Sequence, residues 1–434
     1  MVLIPIALLF ASVSLKYCNK LEQTNNYIID TYHSALGKFG TRYDPKSTLI
    51  VALDHDSLTR FRDTPMAFLG PRFADVIDQL VKNGARLVVL DFQFFITPDQ
   101  WLDSLHFDKF AISNLNYDKS FDKKLSEGRV ILGAKLTPSS EDCAGAEKHK
   151  NCYEILDPPQ EYLESLSGHK NGIGLVTFIP DKDSVIRRFL ISPNENINIK
   201  TKAANNNRNA YAAPERWLTL SALAVQKSVG PEYFKKIIDN NFTDSRLIHY
   251  CGPPGTIPSI SFASFFKEGG LSNQEKALIN DKIVFVGLTD EFFYDKQTTP
   301  YLKFLFGFPD MNSIEIHANI AETLLHGKKL EYLSLGKTIA FVWIPFMILT
   351  LLSSEWCERI KEKREARIPV LLIVEVFPGL IFEILPAIIA WIIGLILFCN
   401  NLLLQQAILF AAVAAYLLFV KALRLYIKKS QRRP

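Results

Sequence analysis

The chain has 434 residues, enough for two or three domains that each bury a core of their own. At 48% hydrophobic and 22% charged it is globular on average, and a net charge of +4 is too small for a nucleic-acid binder. The average conceals a division, because charges and turn residues fill about the first three quarters while roughly the last 100 residues are mostly apolar.

Residues 1–17 open with MVLIPIALLFASVSL, an apolar run short of the ~20 residues that span a bilayer as a helix. It has no basic start and no clean small-x-small cleavage site before Lys16. An uncleaved membrane anchor over 1–17 is the expectation, with a cleaved signal peptide as the alternative.

STLIVAL (47–53) reads as a buried strand ending at Asp54. PRFADVIDQLVKNG (71–84) reads as a helix that Pro71 opens and Gly84 caps, with Phe73, Val76, Ile77, Leu80 and Val81 on one stripe. ARLVVLDF (85–92) is a second buried strand, ending at Asp91, so the three elements predict a parallel pair with a crossover. FDKKLSEG (121–128) and RVILGAKL (129–136) repeat the helix–strand order. NGIGLVTFIPD (171–181) and VIRRFLIS (185–192) predict two strands of a hairpin. There follow a helix over 215–226, a strand over 246–252, a short helical segment over 259–269, a strand over 281–289 and a helix over 314–327. This alternation predicts an α/β domain with a mostly parallel sheet over 18–335.

Apolar stretches then run over 336–356, 369–398 and 402–420. Arg359, Lys361, Lys363, Arg364 and Arg367 fill the loop 357–368, and the tail 421–434 carries six Lys or Arg and no acid. Positive residues mark the cytoplasmic side. Three C-terminal transmembrane helices and one N-terminal anchor then leave residues 18–335 extracytoplasmic. Glu375 and Glu383 are polar residues inside the second stretch, where carboxylates are costly and often functional.

Several blocks occur in an order that resembles the CHASE2 domain family. They are VALDHDSL (51–58), GPRFADVIDQLVKNGARLVVLDFQF (70–94), GIGLVTFIPDKDSVIRRFLI (172–191), HYCGPPGTIPSISFASFF (249–266), DKIVFVGLTDEFFYDKQTTP (281–300) and IEIHANIAETLLHG (314–327). The resemblance implies an extracytoplasmic (periplasmic) sensory domain of a bacterial inner-membrane receptor, multi-pass in lipid, that relays an unknown signal through its helices. Family members couple this domain to a cytoplasmic kinase or cyclase. Here 14 residues follow Val420, so a separate signalling effector is expected, together with homodimerisation. The alternative is a structural component of a cell-envelope complex, with the outer domain as a protein-binding module.

Strand-end acids of a parallel sheet converge at its carboxyl edge, where open α/β folds bind ligands. Asp54, Asp91 and Asp290 are candidates, with Arg72 from the first helix. They form either a polar pocket for a small molecule or cation, or turn caps with Arg72 paired to one of them. Cys143 and Cys152, with eight residues between them in one polar loop, are candidates for a disulfide; a zinc site would lack ligands. Gly252-Pro253-Pro254-Gly255-Thr256 lacks the Lys and the N–H donors of a phosphate loop. Arg187 and Arg188 are placed on opposite strand faces, exposed to solvent or to an anion. No catalytic motif, cofactor or metal set is legible, and no enzyme is expected.

Overall fold

The computed structural model describes residues 19–40, 42–105, 117–138, 152–166, 172–178, 180–193, 198–200, 217–241, 246–291, 295–301, 310–327, 330–338, 388–389 and 391–403. They belong to two compact units, Leu36–Lys329 and a smaller one that joins Met1–Ala35 to Leu330–Pro434.

In the smaller unit, helix α1 (Asn19–Gly37) meets the helical residues 391–399. Trp391 Nε1 donates to Thr31 Oγ1 at 2.9 Å, and the Phe398 ring lies 5.4 Å from Tyr32 and 4.9 Å from His33. Asn401, at φ 62°, turns the chain so that Leu402–Leu403 pairs in parallel with Glu331–Tyr332. Leu402, expected to open a membrane helix, therefore starts in an extended pair, because the left-handed Asn401 turns its backbone onto a partner strand. The expected anchor 1–17, the residues 339–387 with Glu375 and Glu383, the third span from 404 onward and the tail 421–434 lie outside the described residues. Among those described, no helix is long and apolar enough to cross a membrane.

The larger unit begins with β1 (Thr48–Leu53), α2 (His55–Arg60), α3 (Gly70–Lys82), β2 (Leu87–Asp91), α4 (Pro98–Ser104) and α5 (Lys119–Ser126). It continues with β3 (Val130–Pro138), β4 (Cys152–Leu156), α6 (Gln160–Leu166), β5 (Ile173–Leu175), β6 (Asn198–Lys200), α7 (Leu220–Val229) and α8 (Pro231–Asn241). It closes with β7 (Ser259–Ser261), α9 (Asn273–Ile279), β8 (Ile283–Leu288), β9 (Lys296–Thr298), β10 (Asp310–Asn312) and α10 (Ser313–His326). The sheet runs β6-β4-β3-β2-β8-β1-β7, with β5 also on β3. It is parallel at every pairing except β3–β4.

The sheet is apolar on both faces, as a doubly covered parallel sheet must be. Leu49, Val51 and Leu53 of β1 face α3 and α5 through Phe73, Ile77, Leu80, Phe121 and Leu125. Ile50 and Ala52 face α7 and α10 through Leu223, Ile314 and Ala318. The chain leaves β1 and β2 toward the first face but leaves β8, which lies between them, toward the second. The carboxyl end of β8 is thus flanked on both sides by a topological switch point, the place where such sheets open a crevice.

β8 approaches α10 closely because residue 287 is glycine. A Cβ there would meet Ile314 Cδ1 at 2.5 Å. Gly287→Ala is expected to destabilise the domain by about 2 kcal/mol, the usual range for overpacking, with the denaturant midpoint as the measurement.

Three expected elements differ. Among the described residues of the hairpin expected over 171–192 only β5 is a strand; beyond it Arg188 makes an isolated bridge to Leu247, and Ile186 N–H bonds to Thr298. The expected strand 246–252 does not join the sheet: Arg246–Ile248 makes only the short antiparallel bridge to Arg187–Phe189, and the His249 and Cys251 N–H groups beyond it donate to the Thr323 and Asn319 side chains of α10. The expected helix over 259–269 divides into β7, which extends the sheet beside β1, and a single 3-10 turn over Phe262–Phe266.

Candidate functional site

The register places the strand-end acids around β8. Leu53 of β1 lies opposite Leu288 of β8, and Asp91 of β2 lies opposite Gly287. Asp54, Asp290 and Asp91 accordingly follow one another along the carboxyl edge. They do not share one function.

Asp54 caps α2: its Oδ1 accepts from Ser57 N–H at 3.0 Å, Ser57 Oγ at 2.6 Å and Ser261 Oγ at 2.9 Å. Asp290 is buried and pairs with the exposed His55, Nδ1 to Oδ2 3.4 Å. Asp91 has one oxygen, Oδ2, closed off from solvent with no hydrogen-bond partner among the described residues. Burial, reinforced by the charge of Asp295, pushes its carboxyl up to about 7. Asp295 is itself fixed at the head of α10, accepting from Ser313 Oγ at 2.8 Å. Arg72 does not join this edge. It is half exposed, 3.7 Å from Asp75 and over the Phe266 ring at 5.6 Å. Helix α3 lies along the sheet so that its first turn reaches the 3-10 turn after β7, which draws Arg72 away from the acids. The edge is therefore rich in carboxylates and lacks its expected guanidinium. Among the described residues no group of three or more His, Cys, Asp or Glu could hold a metal.

A second polar assembly was not expected from the sequence. Helix α10 is buried along nearly its whole length yet carries Glu315, Asn319, Glu322 and Thr323 on one stripe. Glu315 accepts from the backbone N–H groups of Gly255 and Thr256 at 2.8 and 3.0 Å and of Ile257 at 3.4 Å. The Gly-Pro-Pro-Gly-Thr loop is thus an anion nest after all, filled by an internal carboxylate. Burial still holds the Glu315 carboxyl above the usual range, against these three donors. Glu322 Oε1 accepts from Ser47 N–H and Thr48 N–H at 2.7 Å each and from Thr48 Oγ at 2.9 Å. Its Oε2 lies 3.0 Å from His326 Nε2. Burial would raise its pKa, but His326, Ser47 and Thr48 outweigh it and hold the carboxyl below the usual range. One helix thereby grips both the entry of the chain into the sheet, at β1, and its exit after His326. The signal was present in the sequence as polar residues at i, i+4 and i+7/i+8 in an apolar helix.

On the opposite side of α10, Ser221 Oγ lies 2.8 Å from His317 Nδ1 and also donates to His317 O. The sequence predicts no base beside a nucleophile, and the fold creates one. Both residues are buried, the Phe178 ring lies 4.4 Å from the imidazole, and burial lowers the His317 pKa to about 3. The pair joins α7 to α10 and is closed to substrate. Arg187 and Arg188 are both held by internal carboxylates. Arg187 is buried on Asp181 at 2.9 Å and Asp183 at 2.7 Å, and Arg188 holds Asp181 at 2.5 Å. Cys152 is disulfide-bonded, to a cysteine outside the described residues, where its expected partner Cys143 also lies.

The CHASE2 domain family matches residues 3–353. The chain belongs to the CHASE2 domain family. No curated protein and no solved structure matches it. The CHASE2 domain is a sensory domain that stands outside the cytoplasm, and the larger unit, Leu36–Lys329, lies entirely within the matched residues. Its CHASE2 unit has two assemblies that a sensor can use: the acidic edge around β8 and the buried polar stripe of α10 that begins beside it.

Proposed function

We propose that this protein is a membrane receptor: its CHASE2 domain senses a signal outside the cytoplasm, and its terminal hydrophobic segments relay it to a separate effector. The observation that carries this reading is α10. It starts against the crevice, where Ser313 holds Asp295, and ends at the chain's exit, where Glu322 and His326 are paired. A ligand that favours one arrangement at the crevice biases the whole helix, since a ligand shifts an equilibrium only by binding its two states unequally. The hydrophobic segments 1–17, 336–356, 369–398 and 402–420 are the proposed membrane anchors, and residues 354–434 read as spans and a basic tail rather than an output domain. We place the protein as a homodimer in the bacterial inner membrane, without enzymatic activity.

The second reading, a docking module of an envelope complex, is favoured by a partly exposed aromatic group, in which Tyr117 is exposed and Phe68 and Trp101 are half-buried. The Phe68 ring lies 5.4 Å from Trp101 and 5.1 Å from Tyr117, beside exposed Met66. Crosslinking in cells followed by purification in mild detergent separates the two. A co-purifying kinase or cyclase is the expected result; an envelope complex in fixed stoichiometry would replace the receptor with the docking module.

A further inference from the structure

Asp118 stands at the head of α5, but its side chain does not cap that helix. It is only 7% exposed. Its Oδ2 accepts from the Tyr162 hydroxyl of α6 at 2.5 Å. Its Oδ1 is sealed from solvent with no hydrogen-bond partner among the described residues. That oxygen lies against Gly70 at the start of α3, where a Cβ would collide with it. One carboxyl is therefore closed in by three helices, with a single donor for two oxygens.

The surrounding charges do not compensate for this. From α3 come Arg72 and Asp75, exposed and paired with each other. Helix α4 brings Asp99 and Asp103, both exposed. Helix α5 brings Asp122, hydrogen-bonded by Ser165 at 3.0 Å, the exposed Lys119 and Lys123, and Lys124, which is held by Asp78 and Glu127. From α6 come Glu161 and Glu164, both exposed. Of all these, Asp122 and Asp99 act on Asp118, and both oppose its ionisation, as burial does more strongly; only the Tyr162 hydrogen bond favours it. The carboxyl is pushed up to about 6.

We propose that Asp118 is a proton latch: protonated, it keeps α3, α5 and α6 packed at this junction, and ionised, it opens the junction to water. A buried carboxylate oxygen without a donor is costly, and hydration is the relief open to it. Tyr117, the preceding residue, packs on Phe68 and through it on Trp101 of α4, so the opening reaches this partly exposed aromatic group. The proposal rests on the receptor reading and names its stimulus as the proton concentration outside the cytoplasm.

Hydrogen exchange of the full-length protein in detergent, followed from about pH 5 to about pH 7.5 and corrected for intrinsic rates, tests the latch. Amides of α5 and α6 are expected to exchange roughly tenfold faster at the upper pH, with a midpoint near 6. Asp118→Asn keeps the shape of the protonated acid, so its exchange stays slow at both pH values. Tyr162→Phe removes the donor to the carboxylate, so the midpoint moves up by on the order of 1 pH unit. A flat profile in the native protein, an unchanged profile in Asp118→Asn or an unmoved midpoint in Tyr162→Phe overturns the latch. If Asp118→Asn does not fold, Tyr162→Phe decides alone. A flat profile ends the latch and leaves the receptor reading to its co-purification test, whose failure would leave the exchange result intact.

Discussion

Glu322→Ala is expected to destabilise the CHASE2 unit by about 3–5 kcal/mol, which for a domain of ordinary stability is close to unfolding it. The side chain is fully buried and accepts from two backbone N–H groups and one hydroxyl, with the His326 imidazole 3.0 Å from its other oxygen. Alanine leaves those donors buried without an acceptor, and each such orphan costs about 1–3 kcal/mol. Glu322→Gln retains one carbonyl oxygen for Ser47 and Thr48 and loses the carboxylate charge beside His326, so a smaller loss of about 1–2 kcal/mol is expected. Urea unfolding of the full-length protein, read by the denaturant midpoint, checks both. A Glu322→Ala midpoint within error of the native one would mean that the entry of β1 is held by something else. The lost ties sit where the chain enters the sheet and where it leaves α10, so the same variant is expected to weaken relay more than it weakens any binding at the crevice.

Stability is also expected to fall as the pH rises from about 5 to about 7.5, by on the order of 2–4 kcal/mol. This is opposite to the trend of a domain whose carboxylates are mostly salt-bridged. Asp91 and Asp118 have folded-state values raised to about 7 and about 6 by burial. In the unfolded chain both ionise near the ordinary aspartate value, so the folded state holds more protons over this window. The stabilisation is complete below the unfolded value and is lost as the pH passes through the folded ones. Glu315 and Asp122 are shifted up by burial as well and add to the same slope. Glu322, Asp78 and Asp183 are shifted down by their partners and act in the opposite sense, losing stability as acid protonates them. Their losses lie below the ordinary carboxylate range and bound the stable window on the acid side. Asp118→Asn removes about 1 kcal/mol of the neutral-side slope, because the amide carries no charge to bury. Denaturant midpoints across the pH range give the measurement, and a midpoint that climbs steadily toward pH 7.5 would contradict the buried acids.

The sequence by itself determined the elements whose pattern is local. β1, α3, β2, β3, β8 and α10 occur where the apolar runs and helical stripes place them, because burial of one face is written into residues two, three or four apart. The strand-end positions of Asp54 and Asp91 were legible for the same reason, and so was the family, whose blocks are stretches of continuous sequence. The tertiary structure alone decided what those elements meet. It inserted β8 between β1 and β2, which brought Asp290 between Asp54 and Asp91, while α3 carried Arg72 to Phe266 instead. It kept 246–252 out of the sheet by pairing Arg246–Ile248 with Arg187–Phe189 and giving the His249 and Cys251 N–H groups to Thr323 and Asn319, all of them residues more than 50 positions away. It also turned Glu315 into the anion of a loop that carries no anion-binding pattern of its own, and set Asp118 against Gly70 and Tyr162. Each of these is a contact between groups distant in sequence. A periodic pattern specifies that a face is buried but leaves open what buries it, and the partner of a buried polar group fixes both its charge and its use.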